Sequence, residues 1–378
     1  MVAKSVSHEK QSLLSKFSPL FIMSKETGLS LSSSTVDDIS QGVSGVNIIC
    51  DNGSICGSCS TDIDTSLCAN CGKEGATNTC NKCKMVKYCN AVCKKKHKSK
   101  HKKDCEEHRR CAAELHEEEM KRAAELHDEQ LFKQPPMIDD DCPICFVRLP
   151  LLITGKRYQS CCGKVICSGC IHAMDNTICP FCRASTPTAD EKTNKQLMKR
   201  VEVGDAQAIF GYGGYYWDGD YGLPQDFDKA LELYHRAAKL GHAEANYNIG
   251  CAYIYGYGVE KDKEKAKHYF ELGAIGGDAD ARHSLGMEEL NRGKFEHKKG
   301  NTEGVIKNLD RALKHFMIAV EGGHKGSLTN IHKLYSRELA TKDVYAEALR
   351  SYQDYLGEVR SNQRDEAAKF SEKFKYIE

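Results

Sequence analysis

The residues best placed to do chemistry in this chain are cysteines. All but Cys251 of its 20 cysteines fall between Cys50 and Cys182, and many stand in C-x2-C pairs: Cys56/Cys59, Cys68/Cys71, Cys80/Cys83, Cys142/Cys145, Cys167/Cys170 and Cys179/Cys182. A pair so spaced on a tight turn aims two thiolates at one point. Two pairs supply four soft ligands in a tetrahedron, which is zinc chemistry. One pair is a weak signal, whereas a ladder of pairs with further ligands is a strong one. A closed four-ligand shell leaves no position for substrate, so such a metal is structural. Folding of these segments then depends on it, by on the order of 10–16 kcal/mol per ion.

The first cluster reads Cys68-x2-Cys71-x8-Cys80-x2-Cys83-x5-Cys89-x3-Cys93-x7-His101-x3-Cys105, which is 8 ligands. Cys89/Cys93 and His101/Cys105 have i,i+4 spacing, which places each pair on one helix face. The spacing resembles the MYND zinc finger at every ligand position, including Lys87-Tyr88 before Cys89. The resemblance implies interleaved binding, with Cys68, Cys71, Cys89 and Cys93 on one zinc and Cys80, Cys83, His101 and Cys105 on the other. It also implies a module that holds short proline-containing peptides. Upstream, Cys50, Cys56 and Cys59 lack an evident fourth ligand. The basic run at residues 94–103 has no neighbouring aromatics on which bases could stack, so it reads as a solvated helix face rather than a nucleic-acid surface.

The second cluster reads Cys142-Pro-Ile-Cys145, Cys161-Cys162, Cys167-x2-Cys170 and Cys179-Pro-Phe-Cys182-Arg183. It resembles a RING finger over 142–183, with one departure. A common RING has a histidine where this chain has Lys164, and a protonated lysine offers zinc no lone pair. The resemblance implies an all-cysteine variant: Cys142, Cys145, Cys167 and Cys170 on one zinc, Cys161, Cys162, Cys179 and Cys182 on the other. RING ligases carry no catalytic nucleophile; they orient a charged ubiquitin-conjugating enzyme. The residues the resemblance assigns to that docking are Ile144, Pro180 and Arg183. Against it, the 8 residues between Cys170 and Cys179 hold barely two helical turns, which would stunt the docking groove.

The elements that must position these ligands are mainly helical. Residues 1–60 are rich in Ser, Thr and Gly and are expected to be disordered. The first finger spans 66–105. Residues 106–134 read as a charged, exposed linker helix in which Ala112-Ala-Glu-Leu-His116 recurs as Ala123-Ala-Glu-Leu-His127, closed by Pro135-Pro136. The second finger spans 139–185. From 190 to 360 the chain repeats: Gly204-Asp-Ala, Gly241-His-Ala, Gly277-Asp-Ala and Gly323-His-Lys mark four unit starts, and the third unit carries an insertion around Gly293–Gly304. Each unit reads helix, Gly-bearing loop, helix, which is a stacked helical-pair solenoid. It resembles the Sel-one-like repeat, a relative of the tetratricopeptide repeat. The aromatics of the first unit, Tyr212, Tyr215, Tyr216, Trp217 and Tyr221, read as inter-helix packing.

The fold class is therefore mainly α: two small cross-brace zinc fingers joined by a helix, then an α-solenoid. Net charge is +1 and mean hydropathy −0.54, so no global charge argues for nucleic acid, and no apolar run reaches the ~18–20 residues of a membrane span. The paired spacing and the lack of a signal-like leader point to an intracellular, reducing setting, cytoplasmic or nuclear. About four Zn²⁺ per chain are expected, with proteins or short peptides as partners. The leading expectation is a zinc-stabilised interaction scaffold; the alternative is a RING-type ubiquitin ligase. The solenoid is expected to fold without metal.

Overall fold

The computed structural model describes residues 67–84, 86–135, 141–174, 177–186 and 190–377, and of Cys111, Asp190 and Glu191 only the backbone. The expected disordered segment 1–60 and Cys50, Cys56 and Cys59 lie outside these residues. Two compact units are formed, dividing between Glu129 and Gln130. No described helix is long and apolar enough to cross a membrane.

In the smaller unit, strands β1 (Asn78–Thr79) and β2 (Lys87–Tyr88) pair antiparallel. Helix α1 (Ala91–His97) starts where the Asn90 side chain accepts the Cys93 N–H at 2.9 Å, a standard N-cap. Helix α2 (Lys102–Phe132) follows. The core is made of cysteines with Ala76, Val86 and Tyr88, too little apolar surface to hold a fold of this size without a staple. Leu115, Met120 and Leu126 of α2 are exposed, as a charged solvated helix predicts. The expectation of exposure fails at the helix tip. Leu131, part of the larger unit, is buried against Phe270 and Leu285, and its carbonyl accepts from buried Arg282. Two apolar residues at the end of a polar helix are too short a pattern to announce burial.

The larger unit begins with β3 (Lys156–Tyr158) and β4 (Val165–Cys167), antiparallel with Arg157 opposite Ile166. Helix α3 (Ser168–Ala173) is only 6 residues long, as the short Cys170–Cys179 interval implies. The solenoid follows: α4 (Asp190–Glu202), the pairs α5 (Ala206–Asp218) with α6 (Phe227–Lys239), α7 (Ala243–Tyr255) with α8 (Lys263–Ile275), α9 (Ala279–Lys298) with α10 (Thr302–Glu321), and α11 (Lys325–Tyr335) with α12 (Lys342–Val359). Asp205, Asp226, Asp262 and Asp278 each cap a helix by accepting the third N–H. Glycine at 219 and 256 closes α5 and α7 with φ of 74° and 79°, which an L side chain adopts only with strain.

Within each pair the first helix offers a glycine to an aromatic ring of the second. A Cβ built on Gly213, Gly250 or Gly286 would lie 2.8, 2.6 or 2.5 Å from the ring of Tyr234, Phe270 or Phe316. The insertion of the third unit forms no loop. It lengthens both α9 and α10 to 20 residues, against 13 in the earlier pairs. Regular structure also continues past residue 360, through α13 (Asn362–Phe370) and a 3₁₀ turn at Glu372–Phe374.

Candidate metal centres

Four knuckles carry the C-x2-C pairs that start at Cys68, Cys80, Cys142 and Cys179, and they share one backbone pattern. The residue after the second cysteine (Gly72, Lys84, Phe146, Arg183) is left-handed, with φ of 68°, 56°, 54° and 57°. Its N–H donates to the carbonyl of the first cysteine at 2.8–3.0 Å. The first cysteine's own N–H reaches forward to the carbonyl of Lys73, Val86, Val147 or Ala184 at 2.8–3.0 Å. The result is a turn tight enough to bring two Sγ atoms to one point.

The structure assembles the ligands into four groups. Cys68, Cys71, Cys89 and Cys93 form one; Cys80, Cys83, His101 and Cys105 a second; Cys142, Cys145, Cys167 and Cys170 a third; Cys161, Cys162, Cys179 and Cys182 a fourth. In each, the ligand atoms lie within 4.8 Å of one another. Closest approaches are 3.6 Å for Cys71–Cys89, 3.8 Å for Cys80–Cys105, 3.7 Å for Cys145–Cys167 and 3.7 Å for Cys162–Cys179, with Cys83 Sγ 3.3 Å from His101 Nε2. Sulfurs at ~2.3 Å from a tetrahedral ion lie roughly 3.7–3.8 Å apart, whereas a disulfide needs ~2.05 Å. The spacing therefore fits zinc and not oxidation.

The electrostatics fit as well. In each group one thiol is held low: Cys68 and Cys80 to about 6, Cys179 to about 7 and Cys142 to about 4. Burial opposes this at Cys68, Cys80 and Cys179, but backbone N–H groups aimed at the sulfur outweigh it, from Cys89 and then the knuckle at Cys68 and from the knuckle at Cys80 and Cys179. At Cys142 the main cause is a hydrogen bond with the Cys167 thiol, against burial. Their neighbours are pushed the other way, with Cys89, Cys105, Cys161 and Cys170 all raised, so each group alone favours a single thiolate and a bound cation would be needed to ionise the rest.

The fourth group explains the departure at Lys164. Gln159 N donates to Lys164 O at 2.8 Å and Gly163 N to Gln159 O at 2.8 Å, with Gly163 at φ 78°. This is the knuckle pattern again, with Gln159 where the other four have their first cysteine. Cys162 keeps the second position and neighbouring Cys161 replaces the missing thiol. Lys164 contributes through its backbone: its carbonyl accepts from Gln159 and its N–H bonds the Cys162 sulfur.

The residues assigned to enzyme docking are placed unevenly. Pro180 and Arg183 are exposed on the last knuckle, whereas Ile144 is half-buried on the finger's apolar core. Three contacts tie this finger to the solenoid that no sequence pattern announces. Tyr158 Oη donates to Asp205 Oδ2 at 2.8 Å, and Arg200 Nη2 meets the same oxygen at 2.6 Å. Fully buried Arg364 donates to the carbonyls of Val147, Arg148 and Val359 at 3.0, 2.6 and 2.6 Å. Leu151 N donates to Tyr355 Oη at 2.8 Å. Burial acts to raise the Asp205 carboxyl, but its bonds from Arg200 and Tyr158 prevail and hold it below the usual range. Between finger and solenoid lies a cavity of about 590 Å³ whose lining includes Lys156, Gln207, Tyr215, Tyr221, Glu244 and Asp278. Of the first-unit aromatics, Tyr212 and Trp217 pack between helices as expected, while Tyr215 and Tyr221 stack at 4.1 Å and also face this cavity.

Residues 68–105 match the MYND finger family, and residues 206–242, 243–278 and 280–324 match the Sel1 repeat. Both families are thus present in the chain, as their motifs indicated. No curated protein matches it. Among solved structures, a Sel1 repeat protein from Oxalobacter formigenes is 28% identical over 45% of this chain and 64% of its own, with a TM-score of 0.37. A protective antigen of uropathogenic Escherichia coli with an SLR fold is 23% identical over 48% of this chain and 40% of its own, with a TM-score of 0.34. The matching region therefore spans less than two thirds of either protein. The chain thus joins a zinc-finger segment to a helical-repeat segment.

Proposed function

We propose that this protein is a scaffold in which two zinc-stabilised fingers and a helical solenoid each present a surface to other proteins or short peptides, and that all 16 clustered ligands hold metal. The observation that supports it most is the four closed sets of ligand atoms, each complete with four donors and none with a substrate position. The same reading places the protein where thiols stay reduced, in cytoplasm or nucleus.

Metal analysis of the purified chain tests it, with about four zincs expected. Cys162→Ser and Cys161→Ser should each lower the content by about one, because each removes a ligand of the same ion. A Cys161→Ser chain that keeps its full content would show that the improvised fifth knuckle does not coordinate.

The second reading is a RING-type ubiquitin ligase, supported by the exposure of Pro180 and Arg183 on one knuckle. Its test is auto-ubiquitination of the zinc-loaded chain against a panel of conjugating enzymes, beside Ile144→Ala and Arg183→Ala. Transfer that is lost in both variants supports the ligase. No transfer with any conjugating enzyme leaves the second finger a binding module.

A further inference from the structure

Part of the apolar core of the second finger is packed against by the chain's own C-terminal segment. Ile144 from the first knuckle and Met174 at the end of α3 pack on the core formed by Cys142, Ile166, Cys167, Cys170 and Ile171. Phe374 packs on the same core. The His172 ring on α3 lies 4.8 Å from the ring of Phe370 and 5.7 Å from that of Phe374. Gly169 lets α13 come this close, since a Cβ there would stand 2.7 Å from the Arg364 backbone nitrogen.

We infer that the segment Ser371–Ile377 is an intramolecular cover that competes with external proteins for this face. In its functional consequence the inference rests on the ligase reading, because Ile144, which that reading needs free, packs on the same core as Phe374.

The way the segment is held suits a removable cover. Phe374 is only half-buried, while Glu372, Lys373 and Lys375 are exposed. The anchor lies beyond the covered face: Tyr376 is 1% exposed, in a cluster with Tyr355 and Val359, and its hydroxyl bonds Asp365. Thr154 Oγ1 adds a bond to the Lys375 carbonyl at 2.5 Å. Because these ties lie on Lys375 and Tyr376 and the half-buried Phe374 is held by packing alone, a partner with an aromatic side chain could displace that ring by local opening without unfolding the finger.

Two variants of the full chain separate the possibilities: Tyr376→Ala removes the anchor, and Phe374→Ala uncovers the face while leaving the anchor. Zinc content and the solenoid melting transition are followed in both as controls for folding. Amide exchange of Gly169–Ala173 should rise about tenfold in either variant with zinc unchanged, and ubiquitin transfer should rise by a similar factor over wild type. Unchanged exchange in Phe374→Ala overturns the cover. So does exchange that rises while a measurable wild-type transfer rate stays the same. Exchange that rises with no transfer from any conjugating enzyme, in any of the three proteins, overturns the ligase reading and leaves the cover standing.

Discussion

Arg364 shows how one side chain can decide where a domain sits. Its guanidinium is fully buried and faces three carbonyls, Val147 and Arg148 from the second finger and Val359 from the end of α12. Removing it takes a donor from all three carbonyls; Val147 keeps the Cys142 N–H at 3.0 Å, and each acceptor left bare costs roughly 1–3 kcal/mol before relaxation. We expect Arg364→Met to destabilise the larger unit by about 3–5 kcal/mol in denaturant titrations. Arg364→Lys should recover only part, since an ammonium cannot reproduce the planar fork. A loss under about 1 kcal/mol for Arg364→Met would mean that water replaces the guanidinium. His315 supplies a pH readout. It is 1% exposed and burial, with Arg282 and Arg311 nearby, drives it down to about 3. A histidine lowered in the folded state binds its proton only on unfolding, so its stabilising share is complete above the unfolded value near 6.5 and falls as pH drops toward the folded one. Between pH 7 and pH 5 the loss is about 2 kcal/mol. Denaturant midpoints for His315→Phe should therefore fall less steeply across that range than wild type, whereas protonation of zinc ligands acts on both proteins alike.

At the scale of elements, the glycine–aromatic contact within each helix pair sets how closely the two helices approach. The Gly250 site lies against the ring of Phe270, where a methyl would stand 2.6 Å away. Alanine is the better helix former by about 1 kcal/mol, yet overpacking a fixed ring costs about 1–3 kcal/mol. We expect Gly250→Ala to be net destabilising, and the Gly250→Ala/Phe270→Leu double variant to recover stability. A Gly250→Ala chain more stable than wild type would show that the ring swings aside. These elements were largely legible in the sequence. Unit starts such as Gly241-His-Ala coincide with helix N-caps, and the four sets of thiols and imidazole that the finger resemblances implied are the sets whose ligand atoms lie within 4.8 Å of one another. What could not be read were contacts between residues without pattern: Tyr158 with Asp205, Arg364 with knuckle carbonyls, Phe374 on α3. Each is a single side chain meeting a distant backbone, ring or carboxylate, and such meetings leave no period. The Gln159 knuckle was hidden for a related reason. Its geometry lies in backbone hydrogen bonds that glutamine satisfies as well as cysteine does.

At the scale of the whole larger unit, the second finger works as a strut. One end is tied to the start of the solenoid through Tyr158, Asp205 and Arg200, the other to its end through Arg364 and Tyr355. A sequence reading in which the solenoid folds independently of metal treats these as separate bodies, but the contacts make the ends of the solenoid dependent on a finger that itself has little core. The middle is different. The clusters around Ala230, Ile249 and Ala252 and around Phe316 and Ile331 are built from solenoid residues alone among their buried members. Removing zinc with a strong chelator should therefore leave most helical circular dichroism intact. Amide protection should collapse selectively over α13 and at the N-terminus of α5, where the partners of Arg364 and Asp205 are lost. The melting transition of the solenoid should fall by several degrees, since a few kcal/mol at a unit of this size shifts a midpoint by about 2–4 °C per kcal/mol. Replacing Cys80 of the first finger, which lies in the other unit, gives the control: one zinc lost, α13 protection unchanged. Protection of α13 that survives removal of all zinc would mean that the finger rests on the solenoid without supporting it. Loss confined to α13 and the start of α5 would instead make zinc occupancy of this finger the variable that sets how open the cavity is to a partner.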